Sequence, residues 1–282
     1  MTQSRFSLRV TFSVVAYNSP YAEIERVVRS ILLYTGTKTI YIVDNSPIDR
    51  LSALCQVDTC ICYKHFPENL GFGVANNWAL EKAHEEGSAY HFVVNPDIYY
   101  HEDVVAPMID YLEAHPMVGE LMPRILSPDG SKQYLPKLIP SPLMLLQRQL
   151  SRIWMKGSGK WMERFEMRSM RDDRVYEIGQ ASGCFVALRM KSYEKCGGFD
   201  PRYFLYFEDA DLCRKIHKHY VTAYFPMVSV YHEYGRAASK NMRHFMYFLS
   251  SCVKYFCKWG WFWDKERREY NRFLLSQLYY RT

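Results

Sequence analysis

The chain has 282 residues, 48% of them hydrophobic and 23% charged, with a formal net charge of +6. That length and apolar content build one large domain, or a domain with an appendage, and exclude a disordered tail. Charge is uneven: residues 148–171 carry a local +5 and residues 236–282 a local +7, so the remainder is about −6 by subtraction. Eight cysteines without a Cys-x-x-Cys pair or zinc spacing, and no signal-peptide-like opening, argue against a disulfide scaffold or a zinc module. Reduced thiols in the cytoplasm are the expectation. No stretch has the ~18 uncharged apolar residues a membrane span needs, because Lys254 and Lys258 interrupt the nearest one, Phe245–Trp263.

In chain order, Val10–Ala16 is β-branched and apolar, a buried strand. Ser19-Pro20 reads as a cap and first-turn pair, and Ile24, Val27, Val28, Ile31 and Leu32 then repeat at helical spacing through Tyr34. Thr39–Val43 is a strand ending on Asp44-Asn45-Ser46, and Cys60–Tyr63 a third. After the turn at Asn69–Gly73, Ala75, Ala79, Leu80 and Ala83 mark a second helix. Tyr90–Val94 is a strand, and His101–His115 a helix with Glu102 and Asp103 in its first turn. Strand and helix alternate, the pattern of a parallel sheet covered on both faces with ligands at the strand carboxyl ends. From Pro123 to Ile178 the rhythm breaks, and an insertion of helices and loop is expected. Gly183–Arg189 is a strand, Glu208–His219 a helix burying Leu212 and Ile216, and Val221–Phe225 a strand. The last ~40 residues read as helical, aromatic and basic.

Two acidic stations stand out. Asn95-Pro96-Asp97 follows an apolar strand, and Glu208-Asp209-Ala210-Asp211 lies ~110 residues later. A carboxylate at the end of a buried strand is costly unless it is paired or holds a cation. The two together suggest a metal-held diphosphate facing a catalytic base.

The full set of signals is Val15-Ala16-Tyr17-Asn18, Asp44-Asn45-Ser46, Asn69-x-Gly71-Phe72-Gly73-x-Ala75-Asn76-Asn77, Asn95-Pro96-Asp97, Gly197-Gly198-Phe199-Asp200, Phe207-Glu208-Asp209-x-Asp211-Leu212-x-Arg214 and His232-x-x-Gly235. In this order it resembles the family 2 glycosyltransferases of GT-A fold, and among them the branch of bacterial rhamnosyltransferases of surface-polysaccharide assembly. The resemblance covers roughly residues 10 to 240, with 123–178 only weakly included. It implies an α/β, Rossmann-like mixed and mainly parallel sheet with helices on both faces. Residues 1–240 would form the catalytic domain, interrupted at about 123–178, and residues 241–282 a basic aromatic helical appendage.

Asp44 can accept a hydrogen bond from a pyrimidine imide, favouring uracil or thymine; an Asx turn or helix cap is the alternative. Ala16, Tyr17 and Asn18 offer backbone groups and an aromatic wall to the same base. Asn69, Gly71 and Asn95 join them on the nucleotide sugar, with Gly71 and Gly73 permitting close backbone approach. Asp97 is the candidate ligand for Mg²⁺ or Mn²⁺ against the diphosphate, although Asn95 stands where the family's Asp-x-Asp has its first acid; Asp97 as a turn cap is the alternative. The resemblance implies that His232 completes the metal or diphosphate site and that Arg236 closes over the phosphates. Asp209 is the expected general base, with Glu208 the neighbouring alternative that binds acceptor. Helical spacing turns Asp211 away from Asp209, towards a structural role such as pairing with Arg214. Three acids decorating a helix start remain the plain alternative.

Arg148, Arg152 and Lys156 recur every four residues, and residues 244–282 hold thirteen aromatics, including Trp259, Trp261 and Trp263. Such segments lie on anionic lipid, pack back on the core, or make a homodimer interface. Nucleic-acid binding is not expected, since no recognised module accompanies the basic surface. The reading is an inverting transferase at the inner face of the plasma membrane, using a UDP- or dTDP-sugar. The resemblance implies dTDP-rhamnose or a UDP-hexose as donor and a lipid-linked saccharide as acceptor. The rivals are a nucleotidyltransferase and a non-catalytic sugar-nucleotide-binding subunit.

Overall fold

The computed structural model describes residues 8–147, 159–233 and 242–278. The basic repeat at Arg148, Arg152 and Lys156 lies outside them, as does Arg236. The strands are β1 (Val10–Ala16), β2 (Lys38–Asp44), β3 (Ile61–His65), β4 (Tyr90–Val94), β5 (Ile98–Tyr99), β6 (Val118–Leu126), β7 (Tyr176–Glu177), β8 (Phe185–Arg189) and β9 (Val221–His232). They form one sheet in the order β3-β2-β1-β4-β8-β6-β9-β5, with β7 also on β9. Pairs β3–β2, β2–β1, β1–β4 and β6–β9 are parallel, whereas β8 runs antiparallel between β4 and β6.

Helices α1 (Tyr21–Ile31), α2 (Phe72–Glu85) and α3 (Val105–Ala114) supply the crossovers. Their apolar positions meet the expected strands: Ile24, Val27, Val28 and Ile31 are all fully buried. In the sheet centre Phe12 stacks on Phe92 at 5.1 Å, and each such buried ring contributes roughly 2–3 kcal/mol. Further along are α4 (Lys160–Phe165), α5 (Met190–Cys196), α6 (Glu208–Ile216), α7 (Met242–Trp259) and α8 (Lys265–Ser276).

Four expectations change. Pro20 is itself the cap residue of α1 and makes no side-chain cap bond. The third helix starts only at Val105: Asp103 accepts from the Val105 and Ala106 amides at 2.9 and 3.1 Å, and Glu102 stays outside. Residues 123–126 are not the start of a loop-and-helix stretch but the second half of β6. The sheet tolerates Pro123 because the β6–β9 register shifts between Pro123 and Arg124, where a missing N–H removes no ladder bond. Strand β9 likewise runs on through Pro226 to His232, well past Phe225.

The C-terminal helices pack back on the catalytic body. Tyr255 and Phe256 of α7 are fully buried in a cluster with Tyr203, Phe207 and Ala210, and Leu274 of α8 enters the main core. Among the described residues no helix is long and apolar enough to cross a membrane. All eight cysteines are free thiols.

Candidate active site

The parallel strands β2, β1 and β4 end side by side, which sets Asp44, Ala16 and Asn95 along one carboxyl edge. Ala16 pairs with Asp44, and Val14 with Val94. Asp44 is fully buried; its Oδ1 accepts from the Ser46 amide at 2.9 Å and its Oδ2 from the Tyr63 hydroxyl at 3.0 Å. The Asx turn is therefore formed, and each carboxylate oxygen keeps a second lone pair for a further donor. Asn18 takes a left-handed φ of 52° and its amide donates to Ser46 Oγ at 2.8 Å, while Tyr17 stands 48% exposed beside it. The Asn69–Gly73 turn closes the same corner. Asn69 Oδ1 accepts from the Gly71 amide at 2.9 Å, and Asn45 Nδ2 donates to Gly71 O at 3.3 Å. Gly71 has φ +81°, and a Cβ there would sit 2.4 Å from Phe204 O, so only glycine fits.

Asp97 lies one strand along. Antiparallel pairing of β5 with β9 sets Ile98 against His232, and the Glu233 amide donates to Asp97 O at 3.0 Å. The His232 Nε2 to Asp97 Oδ2 separation is 3.3 Å. Gln133 fixes the histidine tautomer. Its Nε2 donates to Ser127 Oγ (3.2 Å) and to His232 O (3.0 Å), so its Oε1 faces His232 Nδ1 at 3.0 Å and that nitrogen carries the proton. Nε2 is then the ring nitrogen turned towards the carboxylate, a position where a shared cation can bridge the two side chains. Asp97 Oδ1 is also buried without a hydrogen-bond partner. These residues fit a divalent cation. Among the described residues no group of three or more His, Cys, Asp or Glu forms a closed metal cage.

The second acidic station begins helix α6, and the backbone before it is strained. Tyr206 and Phe207 have φ of +71° and +67°, each costing roughly 1–3 kcal/mol for a bulky residue. Packing holds them: the Phe207 ring meets Phe248 at 5.4 Å and Tyr255 at 5.2 Å, both on α7. Asp209 is half-buried, with Oδ1 accepting from Gln180 Nε2 at 3.2 Å and from the Ala210 amide at 2.7 Å. Glu208 is buried and its Oε2 has no partner. Burial raises both carboxyls above the ordinary range; for Glu208 the Asp209 charge adds to it, and for Asp209 the nearby Lys137 opposes it. A charge on Asp209 thus favours the protonated form of Glu208.

Residues 183–184 bring the stations together. Gly183 lies against Asp209, since a Cβ there would sit 3.9 Å from the Asp209 Cβ, while Cys184 O accepts from the Asn95 amide at 2.8 Å. Asp211, by contrast, turns away. It bonds Tyr203 (3.3 Å), Trp259 Nε1 (2.7 Å) and Lys258, and Arg214 pairs with Asp264 at 2.6 Å, not with Asp211. The outward partner one turn on lost to partners from α7 and the turn after it. Gln133 and Gln180 escaped sequence reasoning, because both lie in the poorly patterned stretch or at its edge and belong to no motif.

Comparison with known proteins agrees with this geometry. The model of the glycosyl transferase family 2 matches residues 11–197. The chain is 26% identical over 235 residues to N-acetylglucosaminyl-diphospho-decaprenol L-rhamnosyltransferase of Mycobacterium tuberculosis (strain H37Rv), covering 79% of this chain and 76% of that one. It is 27% identical over 197 residues to the rhamnosyltransferase WbbL of Escherichia coli K12, covering 67% and 70%. In fold it is similar to GalNAc-T7 solved with UDP, GalNAc and Mn²⁺ (TM-score 0.59, 14% identity, 80% of this chain and 43% of that one). It is also similar to the mannosyltransferase PcManGT of Pyrobaculum calidifontis solved with GDP-Man and Mn²⁺ (TM-score 0.56, 16% identity, 87% and 63%). The chain belongs to glycosyl transferase family 2, in its rhamnosyltransferase-like branch and on a GT-A fold.

Proposed function

We propose that this chain is an inverting glycosyltransferase that moves a sugar from a UDP- or dTDP-sugar to a hydroxyl of a lipid-linked saccharide in surface-polysaccharide assembly. The rhamnosyltransferase relatives favour dTDP-rhamnose as donor. The observation that carries the reading is the 183–184 segment, which lies against Asp209 at Gly183 and accepts the Asn95 amide at Cys184 O. Asp44 and the Ala16–Asn18 backbone take the base, and the Asn69–Gly71 turn lies along the nucleotide. Asp97 and His232 would hold Mg²⁺ or Mn²⁺, whose charge neutralises the departing diphosphate. Asp209 receives the acceptor hydroxyl's proton on Oδ2, since Oδ1 is already engaged. The new O–C bond forms at the anomeric carbon as the bond to phosphate breaks opposite it, and the diphosphate leaves with the electron pair. Burial keeps Asp209 basic enough for this.

Membrane contact belongs to the same reading. Met242, Phe245, Met246, Leu249 and Val253 are exposed at helical spacing on α7, and Trp263 is 88% exposed.

Titration calorimetry with a panel of nucleotide sugars and Mn²⁺, paired with a transfer assay, tests the assignment. Asp97→Ala should lose donor binding, and Asp209→Asn should keep binding while losing transfer. Full transfer by both variants sinks the site.

A further inference from the structure

A cleft of about 400 Å³ opens between residues 138–144 and helix α8. Its walls are apolar: Leu138 and Met144 on one side, Trp261, Phe262 and Leu275 on the other. Leu143 and Phe262 are 61% and 69% exposed at its mouth. Arg268 and Arg272 also line it, one turn apart on α8 and therefore on one face. Neither side chain has a hydrogen bond or ion pair with the described residues, whereas the neighbouring Arg214 and Arg267 are both committed to Asp264. An apolar trough carrying two uncommitted guanidiniums matches a ligand with a doubly ionised head and a hydrocarbon tail.

The cleft shares its backbone with the catalytic station. The Lys137 amide donates to Gln180 O at 3.1 Å, and Lys137 O accepts from the Gly179 and Gln180 amides at 2.9 Å each. Gln180 is the residue whose side chain bonds Asp209. Two residues later Asn271, on the cleft floor, clamps Ile139 through both its N–H and its carbonyl, each at 2.9 Å. Gly179 makes this approach possible, since a Cβ there would lie 2.4 Å from Ile139 N.

We propose that this cleft seats the diphosphate and proximal hydrocarbon of the acceptor, a lipid-linked sugar diphosphate whose sugar hydroxyl then reaches Asp209. The diphosphate oxygens meet Arg268 and Arg272, and the tail runs out between Leu143 and Phe262. This names the acceptor of the site described under the proposed function and rests on that reading.

The test uses the full chain and farnesyl diphosphate as probe, with binding followed by calorimetry. Wild type should bind it, and Arg268→Ala/Arg272→Ala should weaken binding by about tenfold or more, since charge-assisted bidentate contacts are lost. Leu143→Asp should weaken it too, while inorganic diphosphate and farnesol each bind far more weakly than the joined molecule. All three positions are exposed, so the melting temperature should stay at the wild-type value in the variants. The proposal is overturned if the double arginine variant binds as wild type does. Displacement of the probe by nucleotide sugar overturns it as well, because the probe would then occupy the nucleotide edge. Arginine-dependent binding in a protein that turns over no nucleotide sugar would keep the cleft and remove the transferase reading instead.

Discussion

Asp209 and Asp211 stand two residues apart on α6, and the two faces of that helix differ in how fully they are bonded. On the cleft side, Asp209 keeps one oxygen unengaged, Glu208 has an orphaned oxygen, and the preceding backbone holds two left-handed residues. On the outer side, Asp211 is fully buried and bonded to Tyr203, Lys258 and Trp259. Ser251 and Lys254 of α7 donate to the carbonyls of Leu205 and Arg202 in the same loop, at 2.9 and 2.7 Å. The difference teaches where the strain of the site is held: the C-terminal helices saturate one face so that the other can stay under-bonded. The contrast breaks most visibly by isosteric replacement. Asp209→Asn should lower kcat about 10²- to 10⁴-fold with melting temperature unchanged. Asp211→Asn should do the reverse, costing about 2–4 kcal/mol of stability as Lys258 loses a charge partner. Matching effects in kinetics and thermal melts for the two variants would erase the distinction.

A second break, confined to stability, lies at Arg214–Asp264, where both side chains are nearly inaccessible and Asp264 also receives the Arg267 amide at 2.9 Å. Asp264→Ala leaves two buried guanidiniums with only the exposed Glu266, 3.5 Å from Arg214, as a carboxylate partner and should cost about 3–5 kcal/mol in urea unfolding. Arg214→Met/Asp264→Leu should recover most of that loss, because apolar packing replaces a desolvated pair. If the double variant is as unstable as the single one, the pair does more than dock α8.

The same contrast explains what the sequence could disclose. The strand carboxyl edge was legible because it is built locally: Asp44 ends its own strand, and the Asn69–Gly71 turn needs a glycine at its own φ. Asp97 and Asp209 were legible as motif acids. The residues that tune them were not. Gln133 reaches His232 only after β6 has passed through Pro123, and a proline inside a run argues against a strand unless the bulge is known. Gln180 meets Asp209 because β8 runs antiparallel into the sheet, a pairing no local periodicity encodes. Asp211 was read correctly as turned away from the cleft. Its partners were misjudged, since Lys258 and Trp259 come from a helix 47 and 48 residues on. Burial fixed the direction, and tertiary contact chose the partner.

Glu208 gives the finest measure of the under-bonded face. Desolvation and the Asp209 charge push its carboxyl up to about 8 in the folded chain, against an ordinary value of 4.5 unfolded. The folded state therefore holds a proton that the unfolded chain releases, so stability is full below the ordinary carboxylate range and falls as pH rises through it towards 8. Glu208→Gln removes that loss. It should raise stability by on the order of 1 kcal/mol at pH 8 and leave it unchanged at pH 4. Turnover reports on the neighbour. Activity should fall at acid pH as Asp209 protonates, above the usual aspartate range because Asp209 too is raised by burial. Glu208→Gln should leave that acid limb in place, since Glu208 is already neutral there. A variant whose acid limb vanished together with its activity would make Glu208 the base, and the roles of the two acids on this face would exchange.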